Sequence, residues 1–176
     1  MPDGTLADGL LGSAITLIKS GGKKKPKQAH LRRAVSAAYY AVFHALAKTS
    51  ADSLVGKTKS RRPNKAWVEV YRGLDHGTVK TACEGAGGVA FPKGIKDFAD
   101  AFLQLQAARH SADYDPMIRL SKVEAIGYVM LAHDAIWALR AVSQNDQIAF
   151  ATWVLIASKG AMAARRRVRA GKSRDL

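Results

Sequence analysis

The chain has 176 residues, of which 48% are hydrophobic, so it can bury the core of one domain and is not disordered as a whole. Aromatic residues make up only 7%, and alanine is abundant, which favours packed helices over a β-sandwich. Lysine and arginine number 28 against 14 acidic residues, and this net charge of +14 favours a nucleic acid or another polyanion as partner. The single cysteine, Cys83, excludes an intrachain disulfide and CxxC-type zinc clusters.

Apolar residues recur at helical spacing through the N-terminal half of the chain. Thr5 and Asp8 have the spacing of a capping box, which predicts that the first helix begins there. The second helix has the longest uninterrupted apolar periodicity of the sequence. The predicted elements are helices over residues 5–20, 28–51 and 65–74, and a weaker helical turn over 77–84.

The C-terminal half predicts three more helices, over residues 95–111, 121–143 and 147–157. Ser121 and Glu124 form a second capping-box pattern, and Asn145-Asp146 is the predicted cap of the last helix. No segment has the pattern of a strand. We therefore expect an all-α, up-and-down bundle of about four long helices with short accessory helices. The predicted bundle covers residues 1–158, and residues 159–176 form a basic tail.

The positive charge is concentrated in three runs that contain no acidic residue, at residues 19–33, 57–65 and 159–174. These runs hold 19 of the 28 cationic side chains, a pattern typical of salt-sensitive, sequence-independent binding to phosphates. The alternative is a solvated surface without a specific partner. A membrane surface is less favoured, because the tail lacks a large apolar face. The candidate nucleic-acid contacts are Lys23, Lys24, Lys25, Arg32, Arg33, Arg61, Arg62, Arg165, Arg166 and Arg167.

Arg109 extends an apolar stripe by one further step of four residues, so its side chain is expected to point toward the core or a partner. A guanidinium in such a place needs acceptors, and Asp113 stands four residues further on. Two interpretations follow: a structural Arg109–Asp113 pair, or a cation directed at a bound phosphate. The preceding residues of the stripe are Ile95, Phe98, Phe102 and Leu105.

The sequence positions of the histidines indicate a functional site less clearly than that of Arg109 does. His44 shares one side of the second helix with Arg33 and Tyr40, which suggests either a buried core histidine or part of a cleft. His133 lies on an apolar row and is predicted to pack in the core. His110 has nearby carboxylates but no second histidine four residues away, so we expect no metal site and no cofactor.

Two segments resemble the conserved helices of the HEPN (higher eukaryotes and prokaryotes nucleotide-binding) family: residues 31–46 (LRRAVSAAYYAVFHAL) and 109–115 (RHSADYD). The resemblance covers roughly residues 5–143. It implies a helical bundle that often forms a symmetric dimer. Many members of this family are metal-independent endoribonucleases of toxin–antitoxin or defence systems, which implies an antitoxin or a nucleotidyltransferase as partner.

The family's active motif is an arginine, a polar residue and a histidine four to six residues after the arginine. Arg109 matches the arginine and His110 the polar position, while Tyr114 stands where the histidine would fall at the shortest spacing. Tyrosine is a poor base at neutral pH, so His110 or His44 would have to assist proton transfer in an enzyme of this type.

Two functions therefore stay open from the sequence. One is binding of RNA or nucleotide phosphate, with endoribonuclease activity carried by Arg109, His110, Tyr114 and His44. The other is a non-catalytic dimerisation module, in which Arg109, Asp113 and Tyr114 form a structural network. The N-terminus has no pattern of a signal peptide, so the expected location is the cytoplasm.

Overall fold

The computed structural model describes residues 5–20, 22, 25–156, 163 and 166. Within residues 5–156 the described part forms seven helices and no strand, which confirms the predicted all-α bundle. The rest of the predicted tail, apart from the helical residues 163 and 166, lies outside the described residues. The helices are α1 (Leu6–Lys19), α2 (Gln28–Leu54), α3 (Asn64–Arg72), α4 (His76–Ala86), α5 (Lys93–Tyr114), α6 (Lys122–Ala141) and α7 (Gln144–Leu155).

Helices α1, α2, α5 and α6 alternate in direction, and side-chain hydrogen bonds between their ends show this. The Gln28 amide at the start of α2 binds the backbone N–H and C=O of Leu120, just before α6. Arg140 at the end of α6 donates to Asp8 at the start of α1, with the Nη1–Oδ1 distance 3.0 Å. Helices α2 and α6 therefore run in the same direction, opposite to α1.

Helix α2 is the central element and packs against α1, α3, α5, α6 and α7. Its apolar residues occupy nearly all sides, and Val35, Val42 and Leu46 are almost completely buried. The predicted stripe on α5 faces this helix and is fully buried at Ile95, Phe98, Phe102 and Leu105. Burial of apolar area where α2 packs against α1, α5 and α6 is a large stabilising contribution to the bundle.

Local capping explains where several helices begin. The capping boxes predicted at Thr5 and Ser121 are both present. The cap predicted for α7 at Asn145-Asp146 is wrong: the Ser143 hydroxyl accepts from the backbone N–H of Asp146 at 3.1 Å, so the helix begins earlier. The turn predicted over 77–84 is a full helix, because the Asp75 carboxylate caps it through Thr78 N.

No single helix among the described residues is long and apolar enough to cross a bilayer. Helices α6 and α7 reach that length and apolarity only when they are taken together, and a bend of 114° separates them. Many of the apolar residues that make α6 and α7 hydrophobic, such as Ala132, Leu139 and Phe150, are buried inside the bundle.

Candidate functional site

Arg109 lies on α5 where this helix faces α2, and its guanidinium is held by residues of both helices. The Nη2 group donates to the Tyr40 hydroxyl at 2.9 Å, and Nε lies 2.8 Å from Asp113 Oδ2. Asp113 also accepts a hydrogen bond from the Ser36 hydroxyl of α2. The ion pair predicted between Arg109 and Asp113 is therefore present. The Arg109 side chain is 23% exposed, so its charge is shielded but within reach of a ligand.

Three tyrosine rings surround the guanidinium carbon of Arg109, at centroid distances of 5.8 Å for Tyr39 and 5.5 Å for both Tyr40 and Tyr114. These distances fall within the range of cation–π attraction. Burial acts to lower the pKa of Arg109, but the hydrogen bond to Tyr40 and the charge of Asp113 outweigh it and raise that pKa. Arg109 is a permanent cation in an aromatic setting.

His76, the first residue of α4, belongs to the same cluster, although the sequence analysis did not identify it. Its Nδ1 lies 2.6 Å from the Tyr39 hydroxyl, and its ring centroid lies 4.2 Å from that of Phe43. Burial and then the positive charge of Arg109 lower the pKa of His76, while Asp75 opposes this change. The imidazole is therefore neutral at pH 7 and lies close enough to Arg109 to sense its charge.

The hydrogen bond to Tyr39 determines which ring nitrogen of His76 carries the proton. The Tyr39 side chain is almost completely buried, and burial raises its pKa to about 12, so this phenol keeps its proton. Among the described residues the Tyr39 hydroxyl has two hydrogen-bond partners, and because the Gln106 amide N–H can only donate, His76 Nδ1 is the acceptor for the Tyr39 proton. The neutral His76 ring then bears its proton on Nε2 and presents an N–H donor rather than a basic lone pair.

The histidines named from the sequence do not converge on the Arg109 guanidinium. His44 Nδ1 bonds to the Tyr71 hydroxyl at 2.8 Å, and within the described chain no hydrogen bond or ion pair joins His44 to Arg109. Burial and the charge of His76 lower the pKa of His44. The exposed His110 ring contacts Tyr114 with centroids 5.0 Å apart. Tyr114 itself is 62% exposed at the edge of the site.

Two of the arginines predicted to bind nucleic acid act within the protein. Arg32 donates to the backbone carbonyls of Ala112, Pro116 and Ile118, which ties α2 to the α5–α6 connection. Arg62 lies over the Trp67 ring at 4.1 Å. The other predicted contacts that the structure describes are exposed, and Lys23, Lys24, Arg165 and Arg167 lie outside the described residues. The exposed ones are Lys25, Arg33, Arg61 and Arg166.

His133 corrects another expectation, because it is 68% exposed at its side chain and pairs with Asp134 at 3.0 Å instead of packing in the core. The apolar row around it is divided: Ile136 faces the core, while Met130 and Trp137 face outward. No group of three His, Cys, Asp or Glu side chains that could hold a metal ion occurs in the part of the chain that the structure describes.

No family model, curated protein or solved structure matches the chain. The geometry of the cluster around Arg109 indicates its chemistry. That cluster combines a cation oriented by Tyr40 and Asp113 with the neutral N–H donor of His76. Such a pair of donors suits an anionic oxygen ligand, above all a phosphate.

Proposed function

We propose that the protein binds RNA, with Arg109 and His76 contacting a phosphate and the exposed basic residues holding the backbone, in the manner of a HEPN-like protein. The observation that carries this proposal is the orientation of the Arg109 guanidinium by Tyr40 and Asp113. The hydrogen bond to Tyr40 uses Nη2, and the ion pair with Asp113 lies at Nε, which makes no well-directed hydrogen bond. Nη1 has no hydrogen-bond partner in the described chain, so it can donate to a ligand. Because the guanidinium is fixed in advance, less side-chain entropy is lost on binding.

The aromatic surroundings favour RNA over an isolated phosphate ion. Tyr114 and His110 are exposed next to Arg109 and offer ring faces on which an unpaired base can stack. Lys25, Arg33 and Arg61 are exposed cations elsewhere on the surface. Their contribution to RNA binding is electrostatic and independent of sequence.

Metal-independent RNA cleavage is a second candidate, favoured by the imidazole of His76 beside Arg109. In that reaction a base takes the proton of the ribose 2′-hydroxyl, whose oxygen attacks phosphorus to form a 2′,3′-cyclic phosphate. The bond from phosphorus to the 5′-oxygen breaks, and this oxygen takes up a proton from water. Arg109 would stabilise the charge that develops on the phosphate. The hydrogen bond from Tyr39 leaves Nε2 of His76 protonated, so His76 would have to change tautomer before it could act as the base.

The non-catalytic dimerisation module also has a specific observation in its favour. Helix α6 exposes large apolar side chains on one side, with Val123 at 78%, Met130 at 60% and Trp137 at 68%. A second copy of the chain is the partner that the family resemblance implies for such a helix. An antitoxin or nucleotidyltransferase partner rests on that resemblance alone.

The experiment that tests RNA binding is a fluorescence-anisotropy titration of a labelled single-stranded RNA at several salt concentrations. We expect log affinity to fall linearly with log salt, and Arg33→Ala and Arg61→Ala each to reduce the slope by about 0.7. Affinity that does not depend on salt would contradict the proposed RNA binding.

Cleavage is tested separately, by incubation of a mixed RNA pool with the wild type and with Tyr114→His.

A further inference from the structure

A half-open cavity of about 230 Å³ lies at the end of the bundle where α1 begins and α2 and α6 end. Its polar lining consists mainly of Thr5, Lys48, Thr49, Asp52, Lys57 and Arg140. The cavity is separate from the Arg109 cluster, because Asp52 is twelve residues, or about 18 Å, further along α2 than Tyr40. The cavity has no role in the RNA site described above.

Positive charge exceeds negative charge around this cavity. Asp52 is the one acid among the lining residues, and both of its carboxylate oxygens have partners. Oδ1 accepts a hydrogen bond from Trp67 Nε1 at 2.9 Å and lies 3.4 Å from Arg62 Nη1. Oδ2 forms an ion pair with Lys48. Arg140 pairs with Asp8. Lys57 forms no ion pair with any acid in the described chain. The carboxylates of Asp8 and Asp52 therefore stand against four cationic side chains, which leaves a net charge of +2 around the cavity. These cations are Lys48, Lys57, Arg62 and Arg140.

The loop that carries Lys57 is held in place by Arg62. The guanidinium donates to the backbone carbonyls of Gly56 and Lys57, both at 3.2 Å, and lies over Trp67. Gly56 has φ +123°, a conformation that favours glycine and that turns the chain directly after α2. The hydrogen bonds from Arg62 thus fix the backbone of the loop that places Lys57 at the cavity.

We propose that this cavity binds the phosphate group of a small anion, with Lys48, Lys57 and Arg140 as its ligands. The Thr49 hydroxyl of the lining can add a neutral hydrogen bond, whereas the Thr5 hydroxyl already donates its proton to Asp8. A volume of 230 Å³ is smaller than the roughly 300–1,000 Å³ of sites that enclose drug-sized ligands. A phosphate or diphosphate group fits that size, with the remainder of a larger molecule outside the mouth.

Calorimetric titration of the full chain with inorganic diphosphate tests the proposal. We expect Lys57→Ala to weaken binding by about tenfold, which is about 1.4 kcal/mol, because it removes one charge-assisted contact to the anion. The matched control is Lys59→Ala, which removes the same charge from an exposed position of the same loop that does not line the cavity. Arg140→Gln provides a second lining variant, and thermal unfolding reports on the folding of each protein.

Weakening by Lys57→Ala and Arg140→Gln but not by Lys59→Ala would support the site. Equal weakening by Lys57→Ala and Lys59→Ala, or no binding of diphosphate by the wild type, would overturn it. The weakening by Lys57→Ala should persist in an Arg109→Lys background, in which a phosphate site at Arg109 is already impaired, so failure at the RNA site and failure here are distinguishable. Competition by RNA with a 5′-phosphate but not with a 5′-hydroxyl would identify a nucleic-acid end, rather than a free anion, as the source of the phosphate.

Discussion

At the scale of single residues, two tyrosines of α2 organise the candidate site. Tyr40 accepts a hydrogen bond from Arg109 of α5, and its neighbour Tyr39 bonds to His76 of α4. The side chains of consecutive helical residues diverge by about 100°, so adjacent tyrosines can contact different helices. The positions of Arg109 and His76 therefore depend on how α4 and α5 pack beside α2.

Part of this site is predictable from the sequence because it is local. Arg109 and Asp113 are one helical turn apart, so their pairing follows from i,i+4 spacing. His76 follows Asp75, whose spacing to Thr78 is the available signal for a helix start. Its contact with Tyr39, 37 residues earlier in the chain, depends on tertiary packing, and no periodic pattern shows it.

Two histidines with lowered pKa, the partly buried His44 and the more exposed His76, make stability depend on pH. Burial lowers the pKa of both His44 and His76 below the ordinary value of 6.5, so the unfolded chain binds protons that the folded chain does not. We expect the free energy of unfolding to be highest above pH 6.5 and to decrease as the pH falls through 6.5 toward the lowered values. Urea unfolding between pH 7.5 and 5.5 measures this change.

A His44→Gln/His76→Gln double variant should show a smaller decrease over the same interval. The carboxyl groups with lowered pKa, Asp8, Asp75 and Glu124, have ordinary values of 3.8 to 4.5 and titrate below this window. If the double variant loses as much stability as the wild type between pH 7.5 and 5.5, the histidines are not responsible.

At the scale of helices, the contact between the start of α5 and the end of α6 requires a glycine. A Cβ atom at Gly94 would lie 2.8 Å from Val142 Cγ1 and 3.1 Å from the Ala138 carbonyl oxygen. Because one of these atoms belongs to the backbone, the helices would have to move apart. We expect Gly94→Ala to destabilise the protein by about 1–3 kcal/mol, measured by urea or thermal unfolding.

Gly12→Ala is the matched control for Gly94→Ala. Gly12 lies inside α1, and a Cβ atom there meets nothing within 4 Å. This substitution should therefore stabilise the protein by roughly 0.5–1 kcal/mol, since alanine loses less backbone entropy than glycine in a helix. Equal changes in the free energy of unfolding for the two substitutions would show that the close approach of the helices at Gly94 does not destabilise the alanine variant.

Most helices are predictable from the sequence because their signals are short-range. The apolar stripe of α5 and the capping boxes of α1 and α6 require only three- and four-residue spacings. The predicted start of α7 is wrong because Ser143 and Asp146 are both good capping residues, and Ser143 is the one that caps the helix. The exposure of His133 could not be predicted, because Met130 and Trp137 beside it are apolar yet face outward.

At the scale of the whole molecule, the outward side of α6 is the surface through which a homodimer is proposed to form. Substitution Trp137→Glu places a charge among Val123 and Met130, and should shift a homodimer toward monomer. Thr81→Glu on the exposed side of α4 is the control of equal charge. Sedimentation equilibrium over a series of concentrations measures the change, and a wild type that stays monomeric throughout would exclude the dimer.

Because the net charge of +14 alone attracts any polyanion, the role of the Arg109 site has to be separated from general electrostatics. Arg109→Lys and Arg119→Lys both keep the charge, but Arg119 is exposed and outside the cluster. The decisive measurement is the affinity of each folded variant for single-stranded RNA. We predict about tenfold weaker binding for Arg109→Lys, which loses the oriented guanidinium, and wild-type affinity for Arg119→Lys. Identical affinities for the two variants and the wild type would contradict a phosphate site at Arg109.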